Sequence, residues 1–399
     1  MNSKLISRIL FIFSNIVFFI LPWRNYVQID SIGSIGKGLA LVLGVLWSIH
    51  VVVHKKTFSF NIFIFLMYTF SIYTIISSIW SVIPKISLLS GLRFLSFALF
   101  STVVWDIFDT KYRINIGIQS LIFGGYIPAV FTIISYFTSS GSFRQAALGY
   151  NVNYLAGNLA VLLPISIILY KWDYMKYKYL KLLNALFVPI TILAIIITGS
   201  RMGIIALAPT LILLIVILFD NIINEYGTKY NTRGIIRSVS LIAILTIASI
   251  NTSILNEDRL QYYSTIPGEI LSGDFGGVRG QAWSTGIDYF INSPFIGYGS
   301  RSFGVFVENV GSAHNTYIQI LFDLGLIGLV IYLSMLYLVF DSILNNKYKV
   351  GWASFFFVVL IIYSANNFEY KNIIWILFTL CIRFSTLLNW EPRKQDRSI

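Results

Sequence analysis

Apolar residues in this chain come in continuous runs of about twenty, each closed by a short polar or basic connection. The runs predict membrane-crossing helices near 5–22, 34–53, 58–80, 86–105, 114–137, 152–170, 180–198, 202–219, 236–254, 316–339, 350–366 and 370–389. The expected fold is therefore an all-α integral membrane protein with about twelve transmembrane helices. A β-barrel would alternate apolar and polar positions in short segments, and these runs do not alternate. One connection is long: 255–315, polar and large enough to form a structure outside the bilayer. It divides the chain into 1–254, the loop 255–315, and 316–399 with its last spans and a short tail.

Within the long connection, Trp283, Ile287, Phe290 and Ile291 follow helical spacing, and Asn292-Ser293-Pro294 ends the run. This predicts a short amphipathic helix lying along the membrane surface. The N-terminus has the basic-then-apolar order of a signal peptide but no small-x-small cleavage site, so it is expected to remain as the first span. No internal repeat and no matching pair of interrupted helices, as transporters use, is visible.

Composition strengthens the membrane reading: 56% of residues are hydrophobic and only 12% charged. The net charge of +12 is spread over the connections rather than gathered into a patch, which argues for topology selection and against nucleic acid. With the N-terminus inside, the inner connections hold 18 basic residues and the outer ones 9. Leaving out the long loop, where the rule is weak, sharpens the contrast to 18 against 6 and puts both termini in the cytoplasm. The inner connections favour lysine, whereas the outer ones carry six arginines to three lysines. Arginine offers a planar fork suited to phosphate oxygens, so the outer face is equipped to hold an anion. The single cysteine, Cys381, excludes disulfides and thiolate metal sites within one chain.

Candidate chemistry lies on that outer face. Arg201 sits in "TGSRMG", a tight connection where Thr198, Gly199 and Ser200 add small donors and close backbone access. A snorkelling arginine is the plainer alternative. Arg279 stands at the start of the predicted surface helix, where unpaired N–H groups favour anions, or else meets lipid headgroups. Arg93 lies within the fourth span, about 10 Å deep at 1.5 Å per residue, facing an anion-binding cavity or snorkelling outward. Arg259 and Arg301 add charge in the long loop. His314 is the one histidine on the outer side, and its side chain could take a proton from a hydroxyl near neutral pH. By itself such a histidine is as readily a structural hydrogen-bonder. Taken together, arginines to hold phosphates beside a base suit group transfer from a lipid diphosphate, whose leaving group needs charge stabilisation more than an acid. Outer carboxylates such as Glu257, Asp258 and Glu369 are scattered, so no metal and no cofactor is expected.

In order, "TGSRMG", "VRGQAWSTGIDYFINSPFIGYG" and "SAHNTYIQILFDLGLIG" resemble the O-antigen ligase and polymerase superfamily. His314-Asn315, followed by Gly325-Leu326-Ile327-Gly328, is similar to its His-Asn…Gly-x-x-Gly signature. The resemblance spans about residues 190–335 and implies a bacterial inner-membrane enzyme with a large periplasmic loop. It implies an undecaprenyl-diphosphate-linked oligosaccharide donor, a glycan acceptor among membrane lipids, and inverting transfer without a metal. Arg201 and Arg279 would then hold the diphosphate, His314 would activate the acceptor hydroxyl, and Asn315 would position the histidine or the acceptor sugar. Beyond the resemblance, the charge argument adds Arg93 to the diphosphate-binding arginines, with Ser200, Arg259 and Arg301 in support. A polymerase, working with a possible chain-length regulator protein, is expected before a ligase that passes the glycan to lipid A–core. A flippase for lipid-linked glycans is the reading from another class.

Overall fold

A computed structural model of the chain describes residues 3–24, 26, 28–29, 33–54, 61–138, 144–147, 149–171, 178–223, 257–265, 268, 278–307, 311–367, 369 and 371–390. The chain is built from helices: α1 Ser3–Ile20, α2 Ile35–His54, α3 Ile62–Ile76, α4 Pro84–Ile107, α5 Lys111–Thr138, α6 Val152–Lys171, α7 Lys178–Ile197 and α8 Arg201–Ile223. There follow α9 Glu257–Ser264, α10 Val278–Phe290, α11 Phe303–Phe306, α12 Thr316–Leu344, α13 Lys349–Ala365 and α14 Asn372–Trp390. A two-residue antiparallel pairing, Gln28–Ile29 with Gly33–Ser34, precedes α2. Eleven of the expected spans coincide with these helices, while 236–254 and the tail 391–399 lie outside the described residues.

Seven helices among the described residues are long and apolar enough to cross a membrane, and four further apolar helices are shorter. The chain is a multi-pass membrane protein. Their exposed positions carry Leu, Ile, Val and Phe, the surface expected of a helix whose solvent is hydrocarbon. Helix α3 starts cleanly because the Asn61 side chain accepts from the Phe63 N–H at 2.7 Å.

The chain divides into two compact units. The first comprises Met1–Trp47, Phe108–Ser264 and Asn346–Ile361. In it α5 packs on α1, α6 and α7, and α6 also packs on α7 and α8. Buried Gln119 and Asn184 exchange side-chain amide bonds of 3.1 and 2.9 Å, fastening α5 to α7. Such a pair satisfies polar groups that would otherwise sit orphaned in an apolar interior.

The second unit comprises Ser48–Ile107, Thr265–Asn345 and Ile362–Ile399. Here α3 and α4 pack together, and α12 packs on α3, α10 and α14. Helix α12 is broken at Gly325, which takes φ 64° and ψ −166°. The rungs lost at the break are replaced from outside the helix. The carbonyls of Phe322 and Asp323 accept from the N–H groups of Tyr298 (3.1 Å) and Gly299 (2.8 Å). The N–H groups of Leu326 and Ile327 donate to the carbonyls of Pro294 (2.8 Å) and Phe295 (3.2 Å). Tyr73 donates its hydroxyl to the Leu324 carbonyl at 3.1 Å. Residues 294–299 thus occupy the gap, and the exposed helix ends meet partners as the apolar surroundings require.

The predicted surface helix exists as α10, but its inward face is small rather than aromatic. Ala282 packs with Phe303, Val307, Ala313 and Phe322, and Gly286 lies so close to Phe303 that a Cβ there would meet the ring at 2.7 Å. Ile287 and Ile291 point outward. Trp283 turns its indole N–H to the Ala313 carbonyl at 2.7 Å, tying the helix to the residue before His314.

Candidate functional site

His314 ends the polar stretch immediately before α12. Asn315 caps that helix: its Oδ1 accepts from the Tyr317 and Ile318 N–H groups at 2.9 and 3.1 Å, and its Nδ2 donates to the Ser364 carbonyl at 3.1 Å. With both ends of its amide engaged, Asn315 fixes where the preceding residue stands. His314 itself has φ 49°, and Arg301 has φ 70°; among the described residues these are the non-glycine positions in the left-handed region. Each such backbone costs about 1 kcal/mol or more and persists only where its surroundings hold it. Both positions carry candidate site residues.

The ring of His314 is half-buried, with Nδ1 3.4 Å from Oδ1 of Asn366, a long contact. The same Oδ1 accepts the Asn367 backbone N–H at 3.0 Å. A backbone N–H can only donate, so the Asn366 atom facing it is the oxygen, and that oxygen can only accept. His314 Nδ1 must then carry the hydrogen. In the neutral ring this leaves Nε2 with a lone pair, the state a general base requires.

Around the histidine lies a polar network that the sequence did not announce. Gln319 accepts from the Ala313 N–H (2.9 Å) and from Asn367 Nδ2 (2.8 Å), and donates to Asp323 Oδ2 (2.8 Å). Asp323 also accepts the N–H of Arg301 at 2.6 Å and of Phe303 at 3.3 Å. Three donors converge on this buried carboxyl, which suits a carboxylate. Thr316 Oγ1 lies 2.9 Å from the Asn366 carbonyl and 3.0 Å from Oε2 of Glu369. A serine cluster holds the loop on the far side of Arg301. Ser87 donates to the Ser300 carbonyl at 2.6 Å, the Ser90 and Ser300 hydroxyls share a 2.7 Å bond, and the Ser300 N–H donates to Ser77 at 3.2 Å. Ser302 meets Ser81 at 3.2 Å. Arg301 is exposed, with its backbone anchored from both directions.

In the other unit, Arg201 is the first residue of α8. Gly199 takes φ 61° at the hairpin, a conformation without steric cost for glycine. Ser200 caps the helix by accepting the Gly203 N–H at 3.2 Å, and donates its hydroxyl to Asn153 Oδ1 at 2.9 Å. Its one proton is therefore spent on Asn153, and Ser200 supports Arg201 as a cap rather than as a phosphate donor. Arg144 reaches the same Asn153 oxygen at 3.1 Å, so two guanidinium groups flank this corner. The Arg201 guanidinium stacks 4.1 Å from the ring centroid of Tyr262 in α9, and Tyr263 secures α9 through a 3.0 Å bond to the Ile196 carbonyl. Stacking engages the face of the fork, whose N–H groups lie along its edge.

The backbones of Arg259 and Arg279 lie in α9 and α10, with Arg279 in the first turn as expected. Arg93 projects from the exposed side of α4 beside Leu89 and Leu92, a setting suited to an arginine that extends toward headgroups.

The described features are those of a multi-pass helical protein, with a half-buried imidazole at the head of a broken helix in one unit and a stacked arginine at a capped hairpin in the other. Residues 185–333 match the O-antigen ligase family model, which supports the O-antigen ligase and polymerase superfamily for that part of the chain. The match supports a membrane enzyme of glycan ligase or polymerase type. It includes Ser200, Arg201, Arg259, Arg279, Arg301, His314 and Asn315, and ends before Asn366 and Glu369. No curated protein matches the chain.

Proposed function

We propose that the chain is an inverting, metal-independent glycosyltransferase of the bacterial inner membrane, extending O-antigen or another surface polysaccharide on undecaprenyl diphosphate. The acceptor hydroxyl attacks the anomeric carbon from the face opposite the diphosphate. Its proton passes to Nε2 of His314, a carbon–oxygen bond forms, and the bond to undecaprenyl diphosphate breaks. Arg201 and Arg279 take up the charge that develops on the departing diphosphate, a role a metal ion fills in other enzymes. The chemistry runs on the periplasmic side, with stretch 255–315 as the periplasmic loop and both termini in the cytoplasm.

The observation that carries this reading is the Asn366 contact, since it supports a His314 ring with hydrogen on Nδ1 and an accepting Nε2. A ligase that hands the finished glycan to lipid A–core is the second reading, favoured by the description of the matching family. Purified protein in liposomes, given lipid-diphosphate oligosaccharide with and without lipid A–core, separates the two. A ladder of repeat units on a gel is expected. A shifted core band instead would make the enzyme a ligase, and neither product would remove the transferase reading.

A further inference from the structure

The hydrogen count around Thr316 does not close if Glu369 is ionised. Thr316 has a single hydroxyl proton. Its oxygen faces two groups: the Asn366 carbonyl, which can only accept, at 2.9 Å, and a Glu369 carboxyl oxygen at 3.0 Å. A carboxylate would compete with the carbonyl for that one proton. A carboxylic acid resolves the conflict, because Glu369 then donates to Thr316 and Thr316 donates onward to Asn366. Among the described residues the second carboxyl oxygen, Oε1, has no hydrogen-bond partner, and the residue is 1% exposed. An ionised carboxylate there, supported among those residues by its own backbone N–H and Thr316, would leave Oε1 unmet, at a higher cost than a neutral acid.

We propose that Glu369 is a positioning residue that stays protonated in the working enzyme and, through Thr316, holds Asn366 in place against His314. The chain of donors runs Glu369 to Thr316 to the Asn366 carbonyl, while the Asn366 side chain receives His314 Nδ1–H. Loss of the Glu369 proton turns the Thr316 hydroxyl back toward the carboxylate, takes the donor from Asn366, and loosens the imidazole. Burial pushes the Glu369 carboxyl up to about 7; its own backbone N–H, the Thr316 bond and the Arg301 charge pull the other way, and Asp323 adds to the rise. Tyr332 and Tyr363 also face it, and neither is a cation that would hold it ionised. The effect on transfer rests on the role of His314 proposed above, whereas the protonation of Glu369 does not.

Two measurements separate these. Infrared difference spectra of the protein in liposomes, recorded across a pH titration, should show a buried carboxylic-acid band at pH 6 that fades above pH 7 and is missing in Glu369→Gln. A carboxylate at pH 6 overturns the proposal whatever the enzyme transfers. In the transfer assay, wild-type activity should fall about tenfold per pH unit on the alkaline side. Glu369→Gln, neutral at every pH and still a donor to Thr316, should match wild type within about threefold at pH 6.5 and lose the alkaline limb. A folded Glu369→Gln that is inactive at pH 6.5, or that keeps the alkaline limb, also overturns it. If that variant does not fold, Thr316→Val serves: cutting the link should lower transfer and flatten the same limb. An unchanged profile there would count against the proposal.

Discussion

A Cβ added to Gly325 would stand 2.3 Å from the carbonyl carbon and oxygen of Phe295. The close approach and φ of 64° are two aspects of one arrangement, since the backbone must turn left-handed to admit the 294–299 segment into the broken helix. Gly325→Ala should therefore cost several kcal/mol, about 1–2 from the backbone alone and more from the clash. Thermal melting in detergent, with limited proteolysis of the 255–315 stretch, checks this; a wild-type melting temperature would contradict the account of the break.

Replacing His314 tests the base without disturbing its backbone if the substitute tolerates the same φ. His314→Asn keeps a residue at ease in the left-handed region but removes the proton acceptor. Transfer should fall by about 10²–10⁴ while melting and membrane insertion stay as in wild type. A loss below about fivefold would reduce His314 to a structural role.

The spans were legible because hydrocarbon imposes a run length that any chain must show, and the His-Asn pair was legible as a polar cap at the head of such a run. The break in α12 was not. Gly325 reads as one more small residue in an apolar helix until the segment that replaces its rungs, about thirty residues upstream, is known. Asn366 and Glu369 were hidden for the same reason. Asn366 closes the expected span 350–366 and Glu369 falls in the short turn after it, yet their partners His314 and Thr316 are 52 and 53 residues away. Nothing local marks Ser77, Ser87 and Ser90 as the grip on Ser300, or Ser81 as the partner of Ser302. Arg144 was counted only as an outer charge, and its convergence with Ser200 on Asn153 depends on how the hairpins pack.

Arg201→Lys keeps charge but gives up both the planar fork and the stacking on Tyr262. Donor KM should rise about tenfold or more in that variant. Tyr262→Phe should stay near wild type, whereas Tyr262→Leu should lose about 3–30-fold in kcat/KM, the range of a cation–π contact. Equal kinetics for all three would separate the stack from donor binding.

Stability should carry its own pH signature. The Glu369 carboxyl is raised in the folded protein, so between its ordinary value of 4.5 and about 7 the folded form holds a proton that the unfolded form has released. Stability from this group is complete below the lower value, declines as pH rises through the window, and is level above it. Glu369→Gln lacks that slope, and its advantage over wild type should grow to on the order of 3 kcal/mol by pH 8. Parallel melting curves from pH 4 to 8 would refute the assignment.

The proposed role of Arg201 and Arg279 in carrying the charge of the diphosphate predicts that turnover survives added EDTA. Loss of activity that a divalent ion restores would place a metal in the reaction.

The stretch from Arg301 to His314 is fastened at both ends to the same nine-residue piece of α12, by Asp323 at one end and by the Asn315 cap and Gln319 at the other. The ends of this lasso are fixed by backbone and carboxyl contacts that do not depend on what lies between them. Between those ends Phe303 and Val307 are buried against Ala282, Ala313 and Phe322. The Arg301 backbone and the imidazole thus take their positions from one ruler, the opening turns of a single helix.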